Sequence, residues 1–458
     1  MKKKLLTTAL AAALAGTALV GCGGTSVTEP SGTADTAATA QATTAASEAS
    51  TSSDTASGDS MTIMWWGSDA RHEATNKVLE MYTEKTGVQF SPEYTGWDGY
   101  WQRMPVLAAS NSMPDILQMD AAYIKQYAEN GQLADLTDLV DLSGYLTDEE
   151  IEKYKIDGKL YGVPLSRNGQ GLAYSKTKLA ELGIDEPQNG WTWDDYVAWG
   201  EKAAEKCPDG VYPLYDMRHW YTYYQEYAES QGKPKTLDGN EFNFDKDTFK
   251  DYCNMYQKLV DEGVALPADK AVAYVELDPV NDYFLNGSCL TRSISVGSVA
   301  SLAEMMGEDN DLGFVCLPQG SAGSASWVQS TVFFSIGANS TKKEEAAKFL
   351  EYFISDVDAG KVLQTVRGLP LSDDVYAEME PDLNQYQLKS MELYKALTDD
   401  SVKAMAYQDD VPATFTDWGT EFKAQTEAIM LGQTSVDDAA DYLETVGQEA
   451  AAEAAGSQ

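Results

Sequence analysis

The chain has 458 residues, 72 of them acidic and 33 basic, for a net charge of −39. That balance excludes the basic footprint by which proteins hold DNA, RNA or anionic lipid, so no nucleic-acid partner is expected. Two histidines and the scattered Cys207, Cys253, Cys289 and Cys316 lack the spacing of a metal centre or redox pair, and no cofactor or metal is expected. The unusual resource is aromatic, with 26 Tyr and 10 Trp.

Met1 to Val20 joins Lys2, Lys3 and Lys4 to an apolar run of roughly 16 residues, too short to span a bilayer comfortably, and reads as a secretory signal. Its end, Leu19-Val20-Gly21-Cys22, resembles the lipobox of bacterial lipoproteins. The resemblance implies that residues 1–21 are removed and that Cys22 carries the lipid anchor. Residues 22–60 are dominated by Ser, Thr, Ala and Gly, cannot bury a core, and as a random coil span on the order of 35 Å.

The folded part opens with Met61 to Gly87, where the pattern switches from a β-prone run ending in Trp65 and Trp66 to helical spacing at Ala74, Val78, Met81 and Tyr82. Ser68 or Asp69 is placed to cap that helix, and Gly87 to end it. Ligands collect at the carboxyl ends of strands in open α/β sheets, which singles out Trp65, Trp66, Asp69, Arg71 and His72. A strand at Val88–Phe90, a helix from Trp97, a strand at Pro114–Asp120 and the helix Ala121–Asn130 follow, and three βα units in succession imply a parallel sheet.

Here the order of WWG…D, an amphipathic helix ending in TG, PDILQMD, DGKLYGVPLSRNGQGLAYSK and WTWDDY resembles the sugar-binding lipoproteins of bacterial ABC importers, in the maltose-binding-protein-like group. The resemblance covers nearly the whole mature chain. It implies an α/β fold of two lobes, each a mostly parallel sheet flanked by helices, joined by three crossovers near 167–171, 318–327 and 367–370. The lobes would be residues 61–167 with 325–367, and 171–322 with 370–458. Asp157-Gly158 marks a hairpin turn, and Thr192 with Asp195 a capping box opening the helix at Trp193.

A sugar offers an apolar face and a rim of hydroxyls, so its site needs aromatic plates and planar polar groups. Trp66, Trp220, Trp327 and Trp418 are the stacking candidates, Trp418 by alignment with a stacking tryptophan of the group. Asp69, Arg71, Asp120, Arg167 and Asn168 are the rim candidates, and Trp65, His72, Trp97, Tyr123, Tyr223, Ser295 and Arg367 form a second tier. Each has a plainer role: a tryptophan can be core, and Asp69 or Asp120 can cap a helix. No GxSxG, HExxH or Walker loop suggests an enzyme. The resemblance implies a monomeric, lipid-anchored binder that captures carbohydrate by hinge closure and delivers it to permease subunits. A secreted glycosidase, or a binder of a peptide or polyamine, is the rival reading.

Overall fold

The computed structural model describes residues 60–399, 402–404 and 412–456; the leader, Cys22 and residues 23–59 lie outside the described residues. The strands are β1 Met61–Trp66, β2 Phe90–Thr95, β3 Ile116–Asp120, β4 Lys155–Ile156, β5 Lys159–Leu160, β6 Val163–Pro164, β7 Gly169–Ser175, β8 Leu237–Asp238, β9 Glu241–Phe242, β10 Thr291–Ser295, β11 Leu312–Val315, β12 Trp327–Val328 and β13 Val332–Ile336. Among the described residues no helix is long and apolar enough to cross a membrane.

The first lobe is built on a five-stranded sheet ordered β2-β1-β3-β13-β6. β1 pairs parallel with both β2 and β3, as successive βα units require, and β13 returns antiparallel to β3. Side chains alternate across β1, so Trp65 enters the core beneath the helix Lys343–Ser355 with Phe334, Phe349 and Phe353, while Trp66 enters the opposite core with Tyr100 and Met104. The helix Asp69–Thr86 ends at Gly87, whose φ of 84° lets its N–H reach Thr83 O. Its start differs from expectation: Ser68 is the N-cap, but no side chain makes the cap hydrogen bond.

The second lobe has the strand order β10-β7-β11, with β12 beside the first residues of β7. Every partner of β7 runs antiparallel to it, so the expected mostly parallel sheet is not found around β7, and among the described residues parallel pairing in the second lobe is limited to isolated bridges such as Tyr212 with Cys289 and Leu214 with Ala265. The physical reason is that β7 arrives from the first lobe already extended and its direction is set by that passage. β10 and β11, joined by the helix Val296–Met306, pair on either side of it. Gly171 and Gly313 are needed on these strands, since a Cβ would lie 2.8 Å from Val315 O at the first and 2.1 Å from the Tyr174 ring at the second.

Local signals behave as their chemistry dictates. Asp157 and Gly158 take φ of 50° and 76° at the β4–β5 turn, and Thr192 and Asp195 form a reciprocal capping box for Trp193–Ala204. Ser435 caps the final helix through Asp438 N at 3.0 Å. The four described cysteines are free, and three are buried.

The Gly/Ser loop expected to carry the second crossover does something else. Gln319 N bonds to Trp191 O, Ala322 N to Ser230 O and Ser324 N to Lys403 O, all of them second-lobe partners. The chain passes between the sheets later, at residues 328–332, beside Asn168: Gln329 N donates to Asn168 O, and Asn168 Nδ2 to Thr331 Oγ1 at 3.2 Å. The third passage lies alongside, where Arg167 N donates to Leu369 O at 2.7 Å.

Candidate functional site

Two aromatic assemblies face ligand-accessible positions. In the second lobe a cavity of about 390 Å³ lies among β7, β10, the start of the helix Tyr221–Ser230 and the segment around Tyr274. Its wall carries Tyr215, Trp220, Tyr223 and Tyr274, and its polar groups include Gln170, Glu276, Arg292 and Ser295. Trp220 is half-buried and stacks on Tyr215, with ring centroids 5.9 Å apart and planes 11° from parallel. Tyr274 meets both rings edge-on at 5.0 and 5.4 Å, so the plate is braced from behind and one side. Of the residues expected from the sequence, Trp220, Tyr223 and Ser295 meet here. Tyr215, Gln170, Tyr274, Glu276 and Arg292 were not anticipated; Arg292 stands on the buried but largely polar strand β10, whose sequence TRSIS does not set the arginine apart.

That charge is tightly held. Arg292 donates to Asp282 at 2.5 Å, to Glu276 at 2.8 Å and to Ser293 O at 3.1 Å. Gln170 donates its amide N–H to Glu226 Oε1 at 2.8 Å, and Glu226 is 2% exposed. Burial pushes the Glu226 carboxyl well above the usual range, opposed only in part by the Trp327 indole and Gln170. Trp327 pairs with Gln170 across β12 and β7, is 5% exposed, and so supports the cavity from below as a packed strand residue.

The second assembly sits where β1, β2 and β3 end. Trp66 packs against Trp97 at 5.2 Å, Tyr100 at 5.0 Å and Trp101 at 5.6 Å, and Tyr123 lies 4.2 Å from Trp101. Trp66 itself is 6% exposed, whereas Trp97 is 43% exposed, so Trp97 presents the ring surface and Trp66 the support. Trp101 was missed as a candidate, yet it stands four residues after Trp97 on the same helix face.

The remaining first-lobe candidates form a hydrogen-bonded turn. Gly67 leaves room for Arg71 to fold back, since a Cβ there would lie 2.4 Å from Arg71 Cδ. Arg71 then donates to Trp66 O at 3.2 Å and Val366 O at 3.0 Å, and burial lowers its pKa to about 10. Gln118 donates to Trp66 O and accepts from Arg367 Nε at 3.2 Å, which ties the turn to the third passage between the sheets. Arg367 is 8% exposed over Phe334 and Phe353, its two terminal nitrogens are without a hydrogen-bond partner, and burial followed by repulsion from Arg71 pulls its pKa well down. His72 accepts from the Trp65 indole at 3.1 Å and stacks on Tyr94, and burial lowers its pKa. Trp65 is fully buried and carries core packing.

Arg167 donates to Asp373 at 2.6 Å and to Leu371 O, and lies over Tyr394 in a second cavity of about 140 Å³ with Asn168 and Ser330. Asn168 accepts from Gly169 N and Gly297 N, so both residues brace the passage between lobes. Asp120 accepts from Ala122 N at 3.0 Å as a helix cap, and Asp69 is exposed in the first turn of its helix. Trp418 is a correction: it is 0% exposed, donates to Leu443 O at 2.8 Å and packs among Tyr221, Phe242, Phe244 and Phe422, so no ligand ring can reach it.

Residues 77–387 match the family described as bacterial extracellular solute-binding protein. A relative from Streptococcus pneumoniae, named a carbohydrate ABC transporter substrate-binding protein, is 33% identical over 145 residues, 30% of this chain and 28% of that protein. The chain thus matches well under two thirds of that relative's length. Among solved structures, a family 1 extracellular solute-binding protein from Alicyclobacillus acidocaldarius is similar at TM-score 0.70 and 22% identity, covering 86% of this chain and 97% of that one. An oligogalacturonide-binding protein from Yersinia enterocolitica, solved with saturated digalacturonic acid, is similar at TM-score 0.68 and 20% identity, covering 86% and 99%. At these identities the structural likeness shows the fold alone.

Proposed function

Because the chain belongs to the bacterial extracellular solute-binding proteins, we propose that it captures an oligosaccharide and hands it to the permease subunits of an ABC importer. The observation that carries this reading is the second-lobe cavity, where a braced Trp220 plate and the Tyr223 and Tyr274 rings stand beside Gln170, Ser295 and the Arg292–Glu276 pair. Rigid aromatic faces with a few fixed polar groups suit a ring that is apolar above and hydroxylated at its rim. Trp97, backed by Trp66, Trp101 and Tyr123, is the matching first-lobe surface, and two such surfaces suit a ligand of more than one sugar ring. The name of the Streptococcus pneumoniae relative supports the same class.

In this reading the lobes, residues 61–167 with 332–367 and 171–328 with 370–456, rotate about the three adjacent passages. Arg71, Arg167, Asn168 and Arg367 brace the hinge and the turn rather than touch sugar, and Asp69 and Asp120 serve their helices. Closure is selected by ligand because contacts to both aromatic surfaces exist only in the closed state. The lipobox at Cys22 supports tethering at the outer face of the cell membrane, with residues 23–59 as spacer. A thermal-shift screen over mono- and oligosaccharides tests the proposal: a binder raises the melting temperature by mass action, and no response to any saccharide at millimolar concentration contradicts it.

A further inference from the structure

The polarity of the second-lobe cavity carries the functional reading one step further. Gln170 commits one amide N–H to Glu226, which orients the amide and leaves its oxygen as the acceptor it brings to the cavity lining. Arg292 has its three nitrogens committed to Ser293 O, Asp282 and Glu276. Asp282 is 0% exposed, whereas the Glu276 side chain is 51% exposed at the rim, so two carboxylates stand against one guanidinium and the outer one is open to a ligand. Among the described residues no lysine lines this cavity.

The other arginines of the hinge region offer no free fork. Arg71 serves Trp66 O and Val366 O, Arg167 serves Asp373 and Leu371 O, and Arg367 is enclosed beneath Phe334 and Phe353. Over longer range, a chain of net charge −39 repels an approaching anion. A carboxylate or phosphate entering the cavity would therefore lose hydration, meet Glu276 and find no cation that is not already paired with carboxylates, whereas a hydroxyl would find acceptors.

We infer that the cavity selects an uncharged saccharide, recognised through hydroxyl groups that donate to Gln170 and Glu276, and rejects uronates and sugar phosphates. The inference rests on the saccharide reading and specifies its substrate class. It also sets this chain apart from the structurally similar Yersinia enterocolitica protein solved with digalacturonic acid.

The test is calorimetry on the mature chain with a matched pair: the tightest neutral oligosaccharide from the screen, and the same oligosaccharide oxidised at its primary hydroxyls to the uronate. The expected result is at least about a tenfold weaker uronate at low salt, a gap that narrows at high ionic strength and in Glu276→Gln. The Glu276 side chain is 51% exposed, glutamine keeps an oxygen that can accept from Arg292, and Asp282 still pairs that guanidinium, so the variant should fold, as circular dichroism will verify. Equal or tighter binding of the uronate overturns the selection while leaving saccharide binding intact. A gap that Glu276→Gln does not narrow overturns the assignment to that carboxylate. If neither member of any neutral and oxidised pair binds, the saccharide reading itself falls.

Discussion

Trp418→Ala separates a core indole from a ligand plate. Trp418 is fully enclosed, with ring contacts to Phe422 at 5.4 Å, Tyr221 at 5.6 Å, Phe242 at 5.7 Å and Phe244 at 5.8 Å, and its N–H donates to Leu443 O. Truncating a buried tryptophan costs about 3–5 kcal/mol through lost transfer energy and the cavity left behind. The indole hydrogen bond lost from Leu443 O, a carbonyl inside the helix Val436–Gly456, adds about 1 kcal/mol. Trp418→Phe keeps most of the packing but loses the N–H, so a loss of about 1–2 kcal/mol is expected. The assay is urea unfolding followed by circular dichroism, paired with ligand titration under native conditions. Both variants should bind ligand within about threefold of the parent, since no part of the indole reaches the cavity. Loss of binding with stability unchanged to within about 1 kcal/mol would refute the core assignment.

Other consequences follow from buried charge. Arg367→Met replaces an enclosed guanidinium whose terminal nitrogens have no partner, so stability should stay within about 1 kcal/mol of the parent or rise; a loss above about 3 kcal/mol in urea unfolding would mean that the charge is compensated. His219 is 3% exposed and burial, eased in part by Asp216, lowers its pKa to about 4. The folded state therefore binds this proton less readily than the unfolded chain, and stability falls as pH drops from the ordinary value of 6.5 towards 4, by on the order of 3 kcal/mol. His219→Gln should flatten that limb of a melting-temperature profile, and an unchanged slope would remove His219 as its cause. Glu226 acts with the opposite sign: its raised pKa means the folded state holds the proton more readily, so its contribution declines as pH rises above the unfolded value. Glu226→Gln should gain stability relative to the parent between pH 5 and pH 8, and a difference that is constant with pH would contradict a buried titrating carboxyl.

Much of the local structure was legible because its signals depend on near neighbours in the chain. The period switch at Gly67, the terminating Gly87, the Asp157-Gly158 turn and the Thr192–Asp195 box each depend on a few adjacent residues, and each element stands near its expected place. The antiparallel pairing around β7 was not legible, because it joins residues about 120 and 140 positions apart and follows from a passage between sheets. The cavity was read only in part for the same reason. It is assembled from Gln170, residues 215–223, 274–276 and 292–295, and of these the sequence marks Trp220, Tyr223 and Ser295 alone.

Trp418 shows a different kind of error. Its own helix, Thr416–Met430, buries Trp418, Phe422, Thr426 and Ile429, a helical stripe that by itself points to the core. Family alignment overrode that periodicity. Trp66 ends β1 as expected, but side-chain alternation along β1 turns it inward, and Trp97 is the more exposed ring.

The most direct test of the account is isothermal titration of the parent and of Trp220→Ala with the oligosaccharide identified by thermal shift. Trp220 is the half-buried plate stacked on Tyr215, so the variant should fold normally and lose more than about tenfold in affinity, or over about 1.4 kcal/mol. A parent that binds saccharide, with a folded Trp220→Ala that binds it equally well, would contradict the placement of the ligand in the second-lobe cavity.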